Sequence, residues 1–104
     1  MKRKVKPYAP IEGSITELLN DPEVRMLYEE RKAKERLAVT IKQLREGAHL
    51  TQSQLALKAG TTQAVIARIE SAKDTRTTSM PLLAHIASAC GRGLEIVFPS
   101  KTNA

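Results

Sequence analysis

Thr62, Gln63, Ala64, Ala67 and Arg68 fall on the outward side of a short segment whose other side is an apolar stripe of Val65, Ile66 and Ile69. Gln is suited to a bidentate contact with adenine and Arg to one with guanine, each worth about 1–3 kcal/mol of discrimination between bases. The chemistry these types offer is therefore hydrogen-bonded reading of a surface, not bond making. Catalysis has no foothold elsewhere. The chain has no Gly-rich phosphate loop, no nucleophile with a spaced partner and no His/carboxylate constellation, so catalytic residues are expected to be none and the protein no enzyme. A single cysteine cannot form an internal disulfide, and with only two histidines it cannot close a zinc site, so neither metal nor cofactor is expected. Cys90 fits a core position, with redox sensing as the other reading, and His49 and His85 fit surface positions from which either could touch a phosphate.

The elements that must position these residues are marked by local signals. Thr51 is an N-cap for a helix over residues 52–59, with Leu55 and Ala56 inward, and Gly60 supplies a turn. Thr62 caps a second helix through about Ser71. Two short helices joined by a glycine have the dimensions of a helix-turn-helix or of a plain helical hairpin. Ser79 caps a further helix through Cys90, with Leu83, Ile86 and Ala87 inward and Gly91 as the stop. Upstream, Asp21-Pro22-Glu23 combines a cap, a proline at the first helical position and an acidic first turn, and no Pro or Gly follows until Gly47. One helix of about 25 residues is predicted there. Its apolar clusters, Val24/Leu27/Tyr28 and Leu37/Ile41/Leu44, are separated by a polar run over 29–36 that is a bridge or a break. Ser14 and Glu17 have capping-box spacing for a short helix ending near Asn20. Residues 94–98 (LEIVF), between Gly93 and Pro99, have strand composition, and an unpaired strand calls for the same strand of a second copy; the other reading is a frayed tail.

At 104 residues the chain has about one domain's length, and its 24 Leu, Ile, Val and Phe suffice for a modest core. A net charge of +6 favours a polyanionic partner, nucleic acid first. The charge is uneven: +4 over residues 1–10, −5 over 11–30, +5 over 31–60 and +2 over 61–104. The acidic stretch is either a solvated helix face or a surface for a protein partner. Residues 1–13, with two prolines and four cations, read as a basic mobile arm that either lies on DNA or solubilises the chain. No apolar run approaches the roughly 18 residues of a membrane span, and the basic start leads into Pro7 and Pro10 and not into a signal-type stretch. A cytoplasmic protein with no membrane partner is expected.

The run LTQSQLALKAGTTQAVIARIE over residues 50–70, continued by SMPLLAHIASACG over 79–91, resembles the helix-turn-helix of Cro/C1-type (XRE) regulators and lambdoid phage repressors. The resemblance implies an all-α, lambda-repressor-like bundle of about five helices with a DNA-binding domain over residues 34–92. It implies that Thr62, Gln63, Ala64 and Arg68 face bases, that Thr51, Gln52, Lys73 and Arg76 hold phosphate, and that Gln52 braces Gln63. Two departures stand out: Ala64 occupies a position often held by a polar reader, and Ala72 replaces the usual glycine after the recognition helix.

The flanks, DPEVRMLYEE over 21–30 and GRGLEIVF over 91–98, are similar to HigA-type antitoxins of type II toxin–antitoxin modules. That resemblance implies a homodimer that represses its own operon and neutralises a HigB toxin of the RelE-like, mRNA-cleaving class. The acidic N-terminal helical segment over 14–33, through Leu18, Val24, Leu27 and Tyr28, is then the toxin-binding surface; its charge complements the basic surface expected of an RNA-cleaving enzyme. The C-terminal strand over 93–98, through Leu94, Ile96 and Phe98, is the dimerisation element, and residues 99–104 are a tail. The alternatives are a standalone or phage-derived XRE regulator without a toxin, and a protein-interaction adaptor that uses the hairpin without DNA.

Overall fold

The structure is a computed structural model that describes residues 17–73 and 78–100. The chain divides into two compact units, Met1–Glu35 and Arg36–Ala104. Among the described residues there are four helices: α1 (Pro22–Gly47), α2 (Gln52–Ala59), α3 (Gln63–Ser71) and α4 (Met80–Ala89), preceded by a helical turn over 17–19. The serine of the capping box at the first start signal, and the basic arm before it, lie outside the described residues.

In the first unit, Asp21 Oδ1 accepts from the Glu23 backbone N–H at 2.9 Å and so caps α1, while Arg25 Nε donates to the Leu19 carbonyl at 2.9 Å and ties the helix to the preceding turn. The long polar run does not break α1, which continues for 26 residues. Within it Lys32 lies 5.9 Å from the Tyr28 ring centroid and 3.8 Å from Glu35, both exposed contacts of small energetic weight.

The second unit is built round Leu55, Ile66 and Ile86, each wholly buried, with Ile41, Ala56 and Ala59 completing the centre. These residues come from all four helices, and α2, which packs against both α3 and α4, contributes three of them. Ala56 and Ala59 are small where the helices approach. Leu37, Leu44, Leu50, Ile69, Leu82, Leu83 and Cys90 pack partly buried around this centre.

The helix ends follow from single residues. Thr51 and Gln54 form a reciprocal capping box, the Thr51 hydroxyl accepting from Gln54 N at 3.1 Å and Thr51 N donating to Gln54 Oε1 at 2.8 Å. At the other end of α2, Gly60 has φ +76°, and Thr61 N donates back to the Ala56 carbonyl at 2.9 Å in a Schellman closure. The Thr62 and Ser79 hydroxyls cap α3 and α4 by accepting from Val65 N and Leu82 N, without a reciprocal bond.

The strand expected over 94–98 is not formed: among the described residues no strand occurs, and residues 92–100 are exposed and without regular structure. A strand holds its shape through a ladder of hydrogen bonds to a second backbone. The single chain offers this segment no such ladder. No helix among the described residues is long and apolar enough to cross a membrane.

Candidate nucleic-acid interface

Because α2 ends in a left-handed glycine and α3 begins three residues later, the starts of the two helices come together although they lie eleven positions apart in the chain. Gln52 is the first residue of α2 and Gln63 the first of α3. Gln63 Nε2 donates to Gln52 Oε1 at 2.7 Å, so the expected brace between them is present. Gln52 Nε2 donates in turn to Glu70 Oε1 at 3.1 Å. Glu70, in the last turn of α3, is held by Arg45 of α1 through Nε to Oε2 at 2.7 Å and Nη2 to Oε1 at 3.0 Å. The remaining arm of Arg45, Nη1, donates to the Leu50 carbonyl at 2.9 Å, which pins the turn leading into α2.

The Arg45 and Glu70 side chains are only 12% and 5% exposed, so the pair sits between the core and the outer surface. Burial pushes the Glu70 carboxyl up. The hydrogen bonds from Arg45 and Gln52 and the charges of Arg45 and Lys42 outweigh it, leaving the carboxyl below the usual carboxylate range. The hydrogen bond to Glu70 holds the Arg45 guanidinium above its ordinary value, against the opposing effect of burial.

Thr62, Gln63 and Ala64 are exposed at the start of α3, and Arg68 is half-buried one turn beyond Ala64 on the same face. The Thr62 hydroxyl serves as the cap. Thr51 is exposed at the start of α2, and Lys73 is exposed just past α3, its N–H donating to Ser71 Oγ at 3.3 Å. Arg76 lies outside the described residues. The segment after α3 begins with Ala72 at φ +59°, so the backbone takes the left-handed turn that glycine usually provides, with the methyl group retained.

Leu18, Leu27 and Tyr28, assigned from the sequence to a protein partner, are exposed in the first unit, Leu27 by 62%, and Met26 joins them; Val24 is half-buried. Leu94, Ile96 and Phe98 are exposed in the second unit, Phe98 by 91%. Cys90 is half-buried at the end of α4, where burial pushes its thiol up despite the nearby cations Arg45, Arg92 and Lys58. That environment disfavours a reactive thiolate. His49 and His85 are exposed, and His49 ends the turn after α1 with φ +59°. Among the described residues no group of three His, Cys, Asp or Glu could hold a metal ion.

The residues missed by sequence reasoning are Arg45 and Glu70. Each is a charged residue on a helix flank, and only their separate positions beside inward apolar residues hinted at burial.

No curated protein and no solved structure matches the chain. Residues 41–97, more than half of its length, match the helix-turn-helix family model, and this span takes in the last two turns of α1, the paired starts of α2 and α3, and α4. With that match on the same residues that carry the Gln52–Gln63 brace, the chain belongs to the helix-turn-helix family of Cro/C1 type, the family of DNA-binding transcription regulators.

Proposed function

We propose that this chain is a dimeric, sequence-specific repressor that reads an operator with α3 and carries a second, acidic surface for a HigB/RelE-like toxin. The observation that carries the DNA half is the brace: an exposed glutamine at the start of α3, held at 2.7 Å by the first residue of α2, is a base reader whose position is set before DNA arrives. Thr62, Gln63, Ala64 and Arg68 face base edges in this reading, Ala64 offering only a methyl contact. Thr51, Gln52, Lys73 and Arg76 hold phosphates. Two such helices in a dimer meet successive major grooves about 34 Å apart, so the operator is roughly palindromic.

The exposed Leu94, Ile96 and Phe98 support pairing with a second copy, since apolar side chains on a segment with unpaired backbone gain most from a matching strand. The toxin half is supported by the apolar set Leu18, Met26, Leu27 and Tyr28, exposed within a stretch of net charge −5 over residues 11–30. Selection of duplexes from a random pool, followed by binding of Gln63→Ala and Arg68→Ala chains, tests the DNA half. Capture of bound protein from the native host after a high-salt, nuclease-treated wash tests the toxin half. A single small basic protein in near-stoichiometric yield is the expected result. Specific DNA binding with no captured protein would favour a standalone XRE-type regulator instead.

A further inference from the structure

The side chains that link α1 to the start of α3 are ordered by hydrogen-bond polarity, which fixes more than their positions. Glu70 lies below the usual carboxylate range, and as a carboxylate it offers only acceptors. Arg45 takes one oxygen with Nε at 2.7 Å and the other with Nη2 at 3.0 Å, so the carboxylate is clamped in a fork. Gln52 must then turn its amide nitrogen toward Glu70, and it does, at 3.1 Å. Its oxygen is thereby turned to Gln63, which must answer with its own nitrogen, at 2.7 Å. What Gln63 has left is its oxygen and one amide hydrogen, an acceptor beside a donor. That pair is the complement of the N6 and N7 edge of adenine. A Gln63 turned over would present two hydrogens instead, which the O6 and N7 of guanine accept.

We propose that Glu70, clamped by Arg45, is a positioning residue that sets which way the Gln63 amide faces and thereby the base that this chain prefers. The proposal rests on the reading of α3 as the base-reading helix. In Glu70→Ala the Gln52 amide nitrogen loses the oxygen that accepts from it, so nothing on that side sets which way Gln52 faces. Both orientations of Gln52 then become accessible, and with them both orientations of Gln63.

The test uses the full-length chain and a duplex selected by it from a random pool, with binding measured for every single base-pair change. The position whose preference Gln63→Ala removes is the one that Gln63 reads. Glu70→Ala is expected to cut the adenine-over-guanine preference at that position by roughly tenfold, with the preferences elsewhere and the affinity for unrelated duplex held within about twofold. Should Glu70→Ala fail to fold by circular dichroism, Gln52→Ala cuts the same link beyond the ion pair and predicts the same loss at the same position. An intact adenine preference in these variants, or an equal loss at every position, overturns the role of Glu70 alone. If Gln63→Ala leaves every preference in place, α3 is not the base reader and the positioning role falls with it.

Discussion

The Arg45 guanidinium and the Glu70 carboxylate meet as a two-bond fork, at 2.7 and 3.0 Å, joining helices whose paired residues lie 25 positions apart in the chain. The fork ties the scaffold helix α1 to the far end of α3 while Gln52 ties it to the near end.

Removing one partner of so enclosed a pair leaves the other charge without compensation. Arg45→Ala is expected to destabilise the folded chain by about 3 kcal/mol, measured by urea unfolding. A change under about 1 kcal/mol would place the pair among surface bridges that contribute little.

The same pair sets an acid limit. Because the Glu70 carboxyl lies lower in the folded chain than its ordinary 4.5, its contribution to stability is fully present above that value and is lost as pH falls toward and through the lower folded value. Unfolding free energy should therefore decline below about pH 4.5, and the decline should be shallower in E70Q. Parallel acid limbs for the two chains would assign the loss to other carboxylates.

Backbone strain at the end of α3 is open to relief. Ala72 holds φ +59°, and Ala72→Gly should stabilise the chain by about 0.5–1 kcal/mol. Gly60 holds φ +76° with nothing within 4 Å of an added Cβ, so Gly60→Ala should cost about 1 kcal/mol for conformational reasons alone. Thermal unfolding of both variants checks the opposite signs.

Phosphate contacts are separable from base contacts by salt. Lys73→Ala and Arg76→Ala should weaken binding to all sequences alike and lower the slope of log affinity against log salt by about one unit per lost contact. A slope that stays at the parent value would remove the substituted residue from the interface.

Leu27 is 62% exposed and Tyr28 45% exposed, so Leu27→Ser with Tyr28→Ser should change stability by less than about 0.5 kcal/mol while abolishing capture of the acidic segment's partner. Undiminished capture would direct attention to other surfaces of the chain.

The second unit's helices were legible in the sequence because their ends are local events. Thr51, Thr62 and Ser79 each cap with their own hydroxyl within three residues, Gly60 and Gly91 each turn the chain through a positive φ, and the apolar stripes of α2 to α4 contain the buried Leu55, Ile66 and Ile86. The Gln52–Gln63 brace was legible through family resemblance. Periodicity alone would not have paired them.

Tertiary structure decided what depends on distant partners. A charged residue looks the same in sequence whether water or a fork of hydrogen bonds satisfies it, so only the folded chain reveals Arg45 and Glu70 as an enclosed pair. The apolar cluster at Leu27 and Tyr28 has helical spacing like any core stripe, yet spacing cannot supply the surface that would bury it. Residues 94–98 have the composition of a strand, but a strand is a property of two backbones, and composition determines only one of them.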